Sequence, residues 1–276
     1  LMTKIIYRLF VFLLIFSPVA FGAVEHWSLA IIETFSFFAL GLLFFRNARQ
    51  EESLIYETPG IIPLILFLIY IFLQVIPLPA GMIKFISPET YFLYKKTILP
   101  DETMSWVSLS INKKATLMEF FRIMSYVIFY VITIQLMTNK EHLKKTVALI
   151  VVFASLLSFF GILQNLISNN KIFWVRELTQ GGNPFGPYVN HNHYAGFMGM
   201  VFPVVLSIFL FYKPDFHYSS LRERISEFFN HSMTNIYILL GFSSMLIAIS
   251  IFLSLSRGGI ISLSLSMIFF GIMLIY

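Results

Sequence analysis

Residues 183–197, N-P-F-G-P-Y-V-N-H-N-H-Y-A-G-F, concentrate hydrogen-bonding side chains in an otherwise apolar chain. The centre of this stretch carries Asn190, His191, Asn192 and His193 in succession. Asparagine and neutral histidine each offer both donors and acceptors, which suits the recognition of sugar hydroxyls or phosphate oxygens. We therefore predict that these four residues bind a polar substrate.

The same stretch has two other interpretations. An N-cap role would explain Asn190 or Asn192, because a cap needs a single side-chain oxygen, but it would not explain all four polar residues together. Metal binding by His191 and His193 has weak support, because the pair lacks a neighbouring carboxylate or a third histidine. We predict no metal site and no cofactor.

Arg257 lies in L-S-L-S-R-G-G-I-I-S-L-S-L-S, where it interrupts about 40 nearly continuous apolar residues. An arginine at the centre of a membrane helix costs roughly 2.5–3.5 kcal/mol, so an anionic partner best explains it. Gly258 and Gly259 would let a phosphate approach backbone N–H groups at the start of a helix. The alternative is a tight turn, for which glycine is also suited, with an arginine that reaches to the interface.

The composition places these residues in a membrane protein. Of 276 residues, 58% are hydrophobic and 12% are charged, and the mean hydropathy is +0.81. A soluble domain is closer to half apolar and a quarter charged. Runs of about 20 apolar residues recur, each long enough to cross a bilayer core, and their continuity favours helices over a barrel. The fold class we predict is an all-α, polytopic transmembrane helical bundle. We expect no nucleic-acid partner, because the sequence has no basic soluble domain.

We predict a single transmembrane domain over 1–276, with about eight spans. The first begins with Lys4 and Arg8 and would also fit a cleaved signal peptide, but the runs that follow favour a retained helix. The spans lie at roughly 5–24, 27–45, 60–78, 117–137, 146–167, 194–212, 235–256 and 258–276.

The distribution of Lys and Arg in the loops predicts a cytoplasmic N-terminus. The cytoplasmic set is Lys4, Arg8, Arg46, Arg49, Lys140, Lys144, Lys145, Lys213, Arg222 and Arg224. The conflicting observation is a group of external lysines in the long segment 79–116, namely Lys84, Lys95, Lys96, Lys113 and Lys114. Long loops carry less weight in the positive-inside rule, so we keep the prediction of a cytoplasmic N-terminus.

This topology gives two sizeable external segments. The segment 79–116 contains helix-breaking prolines, and we expect its short amphipathic pieces to lie along the membrane surface. The other, 168–193, contains the polar stretch described above, so the stretch and Arg257 are both predicted at the outer face. The cytoplasmic segment 213–234 is predicted to form a short amphipathic helix that anchors at the interface.

The order of these motifs resembles the O-antigen ligase and O-antigen polymerase superfamily of bacterial envelope enzymes. The resemblance rests on N-P-F-G-P-Y-V-N-H-N-H-Y-A-G-F-M-G-M-V-F-P-V-V-L, followed two spans later by L-S-L-S-R-G-G. L-Q-V-I-P-L-P-A-G-M-I-K-F-I-S-P-E-T-Y-F-L-Y, and then W-V-S-L-S-I-N-K-K-A-T-L-M-E-F-F-R-I-M-S-Y-V-I-F-Y, also resemble the N-terminal half of such proteins. The similarity extends from about residue 60 onward, and the ligase-type motifs occupy about 146–276.

The resemblance implies a GT-C-like glycosyltransferase that uses neither metal nor nucleotide sugar. Such an enzyme moves a glycan from an undecaprenyl-diphosphate carrier to an acceptor hydroxyl, on a glycolipid, glycan or protein, at the outer face of the bacterial inner membrane. Arg257 matches the family arginine and would stabilise the diphosphate leaving group as a catalytic residue. Arg176, Arg122 and Gly258, together with 190–193, are the predicted substrate-binding residues.

One departure from the family concerns the C-terminal part. Family members continue through further helices and a large external loop whose histidine is taken to be the base. This sequence ends at Tyr276, within or at the end of a predicted span. We therefore expect this sequence to be the N-terminal portion of a longer enzyme, or the product of a split or decayed gene.

Two rival functions remain at this stage. A transporter or flippase of lipid-linked sugars would also be polytopic, but it would be expected to show internal repeats or charges near the membrane midplane. Here only Glu33 and Glu119 approach the interiors of spans, whereas the other polar groups gather at one face. The second rival is an inactive truncated fragment.

Overall fold

The computed structural model describes residues 2–49, 55–97, 105–167, 171–178, 183–214 and 233–275. The chain is mostly helical. Within the described residues, seven helices are long and apolar enough to cross a bilayer. They are α1 (Met2–Val19), α2 (His26–Ala48), α6 (Lys113–Met137), α7 (Lys140–Leu166), α8 (His191–Phe211), α9 (Thr234–Leu253) and α10 (Arg257–Ile275). These helices confirm the prediction of a multi-pass, helical membrane protein.

The third predicted span, 60–78, forms only the shorter helix α3 (Ile61–Leu73) of 13 residues. At 1.5 Å per residue this helix is about 20 Å long, against a hydrocarbon core of about 30 Å. The helix stops because the chain turns at Gln74 and enters strand β1 (Pro77–Pro79), whose prolines cannot continue a helix. Of the roughly eight predicted spans, seven correspond to helices of spanning length among the described residues, and the span predicted at 60–78 corresponds to a shorter helix.

The connection from α3 to α6 contains a two-stranded antiparallel sheet and two short helices. Strand β1 pairs with β2 (Trp106–Ser108), with Leu78 opposite Val107. Between the strands lie helices α4 (Ala80–Ile86) and α5 (Pro88–Thr97). These are the short amphipathic pieces that the sequence predicts for segment 79–116.

The described residues divide into two compact units. The first unit comprises Leu1–Phe10 and Leu29–Thr138. Its apolar core includes Ile6 and Ile132, and Phe10 stacks on Phe129 with ring centroids 4.9 Å apart. Gln135 also pairs with both backbone groups of Tyr56 at 2.8 and 3.0 Å, so the segment that precedes α3 is held against α6.

The second unit comprises Val11–Ser28 and Asn139–Tyr276. Its buried core is formed by one side each of α7, α8, α9 and α10, together with Phe185 and Tyr188 from the segment before α8. Helix α8 packs against both α9 and α10. The motifs at 183–197 and 254–259 lie in this unit, whereas the segments at 73–94 and 106–130, which also carry the family resemblance, belong to the first unit.

Asparagine side chains begin three of the long helices. Asn112 accepts a hydrogen bond from the backbone of Ala115 at the start of α6, and Asn139 accepts from Glu141 and His142 at the start of α7. Asn190 caps α8 in the same way. The predicted amphipathic helix at 213–234 is not part of this description, because residues 215–232 lie outside the described ranges.

Candidate functional site

The start of α8 is fixed by Asn190. This residue has an extended backbone (φ −122°, ψ 118°), and its side-chain oxygen accepts a hydrogen bond from the N–H of Asn192 at 2.8 Å. The N-cap interpretation is thereby confirmed for Asn190. His191, Asn192 and His193 form the first turn of α8, where Asn192 and His193 are exposed.

Asn192 joins the start of α8 to the start of α10. The Ser256 hydroxyl donates to the Asn192 side-chain oxygen at 2.7 Å and accepts from the Gly259 N–H at 3.1 Å. Ser256 is therefore the N-cap of α10, and it is buried. The polar stretch and the R-G-G motif, 64 residues apart at this contact, are parts of one site.

The two glycines after Arg257 meet different surroundings. A Cβ on Gly259 would lie 2.5 Å from the Ala195 Cβ. Helix α10 can therefore approach α8 this closely only because residue 259 is a glycine. A Cβ on Gly258 would meet nothing within 4 Å. The Gly259 N–H already donates to Ser256. An anion at this helix start could therefore accept hydrogen bonds from the N–H groups of Arg257 and Gly258.

The segment before α8 folds as a tight hairpin. Phe185 and Tyr188 pair through two backbone hydrogen bonds of 3.1 and 3.2 Å, and Gly186 between them has a φ of 56°. A positive φ at the first turn position favours glycine, and the following Pro187 has its φ fixed by its ring. This explains the G-P pair within the polar stretch.

Gln164, in the last turn of α7, holds this hairpin and a second turn together. Its amide NH₂ donates to the carbonyl of Gly186 at 2.8 Å, and its oxygen accepts from the Phe173 N–H at 2.9 Å. The side chain is buried. Because both of its partners are backbone groups, Gln164 fixes the position of two turns, at 171–176 and 185–188, relative to α7.

Aromatic rings fill the space beneath the hairpin. Phe185 lies against Tyr194 with ring centroids 4.6 Å apart, and a Cβ on Gly161 of α7 would come within 2.7 Å of the Phe185 ring. The ring of Tyr188 covers Gly22 in the same way, at 2.6 Å. Burial raises the pKa of Tyr188 above its ordinary value, so its hydroxyl stays protonated at neutral pH.

These elements enclose a cavity of about 290 Å³. One part of the wall comes from the hairpin and another from the backbone that ends α9, at Leu253–Leu255. The polar residues in the wall come from α7, the two turns, α8 and the end of α9: they are Gln164, Asn165, Lys171, Asn183, His191 and Ser254. Donors and acceptors from several elements thus converge on a space just below the usual 300–1,000 Å³ of small-molecule pockets.

His191 is oriented by the carbonyl of Asn183. This oxygen lies 3.0 Å from the His191 Nδ1 and also accepts the backbone N–H of His191 at 3.0 Å. Since a carbonyl only accepts, Nδ1 carries the proton, and in the neutral ring Nε2 is left as the hydrogen-bond acceptor. His191 is thus held in the tautomer that can accept a hydrogen bond from a hydroxyl.

Lys171 supplies positive charge to the cavity wall. Its ammonium group lies 2.6 Å from a carboxylate oxygen of Glu177. Hydrogen bonding from Lys171 lowers the pKa of Glu177, which remains charged at neutral pH. The exposed Glu177 therefore offsets part of the positive charge of Lys171 in the cavity wall.

The predicted arginines are in three different settings. Arg257 is exposed at the first position of α10, two residues beyond the cavity wall, and has no hydrogen-bond or ion-pair partner within the described part of the chain. Arg176 is paired with Glu25 and lies 4.2 Å from the Phe21 ring centroid, outside the cavity lining. Arg122 belongs to the first unit, where it pairs with Glu119 at 2.8 Å.

The structure therefore brings together only part of the predicted set. Of the predicted binding residues, His191 lines the cavity, while Asn192 and Gly258 lie at the junction of α8 and α10 next to Arg257. No third metal-ligating side chain accompanies His191 and His193 among the described residues. Gln164, Lys171 and Ser256 were not singled out from the sequence, although a glutamine in the last turn of an apolar helix is a recognisable signal.

No protein-family model, curated protein or solved structure matches this chain.

Proposed function

We propose that the chain is part of a glycosyltransferase of the O-antigen ligase or polymerase type, with a GT-C-like fold. It would transfer a glycan from an undecaprenyl-diphosphate carrier to an acceptor hydroxyl, at the outer face of the bacterial inner membrane. The observation that carries this proposal is the 2.7 Å hydrogen bond between Ser256 and Asn192. It joins two of the motifs on which the family resemblance depends, the polar stretch and L-S-L-S-R-G-G.

The chemistry of the site suits a donor with a sugar and a diphosphate. The cavity offers amide groups, a histidine acceptor and a lysine, which can hydrogen-bond to hydroxyl groups or to an anion. Arg257 and the free N–H groups at the start of α10 supply donors for the negative charge that grows on the leaving group. The acceptor oxygen forms a bond to the anomeric carbon of the sugar while the bond between that carbon and the diphosphate oxygen breaks. The diphosphate leaves on the carrier with the bonding electrons, and the proton of the acceptor hydroxyl is released to water.

Glycolipid analysis of a deletion strain tests this function. We expect carrier-linked glycan to accumulate at the outer face of the membrane. Loss of the glycan attached to its acceptor would indicate a ligase, and loss of long glycan chains would indicate a polymerase. Complementation with His191→Ala should fail at normal protein abundance. Val175→Ala is the matched control, because Val175 is 82% exposed in the connection between α7 and α8 and lies outside the cavity lining.

Two results would contradict the proposal. Accumulation of carrier-linked glycan at the cytoplasmic face would indicate transport instead of transfer. An unchanged level of every carrier-linked glycan in the deletion strain would show that such glycans are not substrates of this protein.

A further inference from the structure

Helix α3 runs beside only part of α6. Near the end of α3, the ring of Phe72 lies against the ring of Phe120 of α6, with centroids 5.5 Å apart. At the other end, the Tyr130 hydroxyl of α6 donates to the carbonyl of Pro59, two residues before α3 begins, at 2.9 Å. Helix α3 therefore begins at the level of Tyr130, although α6 continues to Met137.

The level of Tyr130 lies inside the hydrocarbon layer of a bilayer. Such a layer is about 30 Å thick and takes about 20 residues of helix, whereas α6 has 25 residues. Residue 130 is therefore inside the layer wherever a stretch of that length is placed along α6. In the span predicted at 117–137 it precedes the end by seven residues, or about 10 Å.

The backbone at 55–60 is not helical at this depth. Residues 55–58 have no regular secondary structure, and 59–60 form a turn in which Gly60 has a φ of 70°. The Gln135 side chain satisfies both backbone groups of Tyr56. Neither backbone group of Glu57 has a hydrogen-bond partner among the described residues, and the Glu57 side chain is exposed.

Lipid is a poor environment for this segment. Hydrocarbon offers no hydrogen bonds, so irregular backbone at membrane depth occurs where protein buries it or where water reaches it. The described part of the chain does not bury the segment, because Glu57, Pro59 and Gly60 are all exposed. A carboxylate inside the layer is costly as well. Water is therefore the partner that satisfies Glu57.

We propose that water enters the bilayer at residues 57–60 and forms a local indentation beside the start of α3, on the side of the membrane where α6 ends. Tyr130 and Gln135 hold the segment against α6, while water hydrates Glu57. The indentation also explains the length of α3, because a helix of about 20 Å can cross a bilayer that is thinned at that point. The proposal is independent of the glycosyltransferase assignment.

Single cysteines in this cysteine-free chain measure water at the depth of Tyr130. Pro59→Cys places the thiol in the proposed indentation. Phe38→Cys is the matched control, because Phe38 of α2 is 55% exposed and also precedes the end of its predicted span, 27–45, by seven residues.

The full chain is reconstituted in phosphatidylcholine vesicles, with a water-soluble, membrane-impermeant maleimide on both sides of the membrane. We expect Pro59→Cys to react at least about tenfold faster than Phe38→Cys, because apolar surroundings raise the pKa of a thiol and so lower its reactive thiolate fraction.

Hydrogen exchange of the unsubstituted protein in the same vesicles gives a second measurement. The Glu57 N–H should exchange within seconds, because it is bonded to water, whereas N–H groups in the middle of α3 should stay protected by their helical hydrogen bonds. This measurement decides alone if Pro59→Cys does not fold.

Three outcomes would overturn the proposal. Slow reaction of a folded Pro59→Cys protein, or protection of the Glu57 N–H from exchange, would show that water does not reach this level. Equally fast reaction of Pro59→Cys and Phe38→Cys would place the whole membrane surface at this level, so that no local indentation exists.

Discussion

Gly258 and Gly259 are adjacent at the start of α10, yet their side-chain positions meet different surroundings. The α8 helix closes the space beside Gly259, whereas the space beside Gly258 is open. The sequence marks both glycines as suited to a turn or to a phosphate, but it does not indicate which of them meets α8. That distinction depends on the packing of two helices whose contact residues are far apart in the chain.

Alanine substitutions separate these two roles. Gly259→Ala places a methyl group 2.5 Å from the Ala195 Cβ, and overpacking of this kind costs about 1–3 kcal/mol. We expect a lower unfolding temperature for this variant in detergent. Gly258→Ala should leave the unfolding temperature unchanged or slightly raised, since alanine is the better helix former.

The same pair also tests the approach of substrate. If a phosphate approaches the backbone at Gly258, Gly258→Ala should lower transfer although the protein is stable. Full activity of a stable Gly258→Ala protein would contradict a close approach at this position.

At the scale of elements, the contact between α8 and α10 depends on Asn192 and Ser256. The Ser256 hydroxyl serves both helices, because it caps α10 and donates to Asn192. We expect Asn192→Ala and Ser256→Ala to be non-additive, with a coupling of about 0.5–1.5 kcal/mol in a double-mutant cycle of unfolding. Strict additivity would show that the hydrogen bond does not stabilise the junction.

Gln164 is the corresponding link between α7 and the turns at 171–176 and 185–188. In Gln164→Leu, the Gly186 carbonyl and the Phe173 N–H each lose their side-chain partner. A buried polar group without a partner costs about 1–3 kcal/mol, so we expect a clear fall in thermal stability. Asn165→Leu is the matched control, since Asn165 is exposed, and a similar loss of stability there would argue against the role of Gln164.

The elements were largely predictable from the sequence, because continuous apolar runs decide where membrane helices lie. Several boundaries were not, for a physical reason. The spans predicted to begin at 117, 146 and 194 actually belong to helices that begin at Lys113, Lys140 and His191, each directly after a capping asparagine. Apolar runs mark the part of a helix that lies in lipid, whereas caps mark the end of the hydrogen-bonded helix.

The candidate site was predicted less completely than the helices. The polar stretch and the R-G-G motif stand out by composition, and the structure joins them through Asn192 and Ser256. The cavity also depends on Gln164 and Lys171, whose contributions arise from packing between distant segments. Arg176 illustrates the same limit, because only the fold reveals that Glu25 is its partner.

At the scale of the whole molecule, the account requires that the cavity open to the outer side of the membrane. The chain has no cysteine, so single cysteines can be introduced at Lys140, where α7 begins, and at Val175, in the turn that follows α7. We expect Val175→Cys to react with an impermeant thiol reagent in intact cells, and Lys140→Cys to react only after permeabilisation. The reverse pattern would place the cavity on the cytoplasmic side and remove the proposed site from the outer face.

Arg257 carries the central claim of a transfer reaction at this site. It is exposed beside the open Gly258 and the cavity wall, where it can bind a diphosphate as its charge increases. Loss of one donor to a transition-state charge typically lowers turnover by about 10²–10³. Lysine keeps the charge but loses the bidentate geometry, so it should restore only part of the rate.

The most direct measurement is therefore transfer by the full-length protein with purified lipid-diphosphate donor, comparing Arg257→Ala, Arg257→Lys and the unsubstituted protein at equal abundance. The account predicts a loss on the order of 10²–10³ for alanine and partial recovery for lysine. Near-normal transfer by a well-expressed Arg257→Ala protein, or full recovery by lysine, would contradict it.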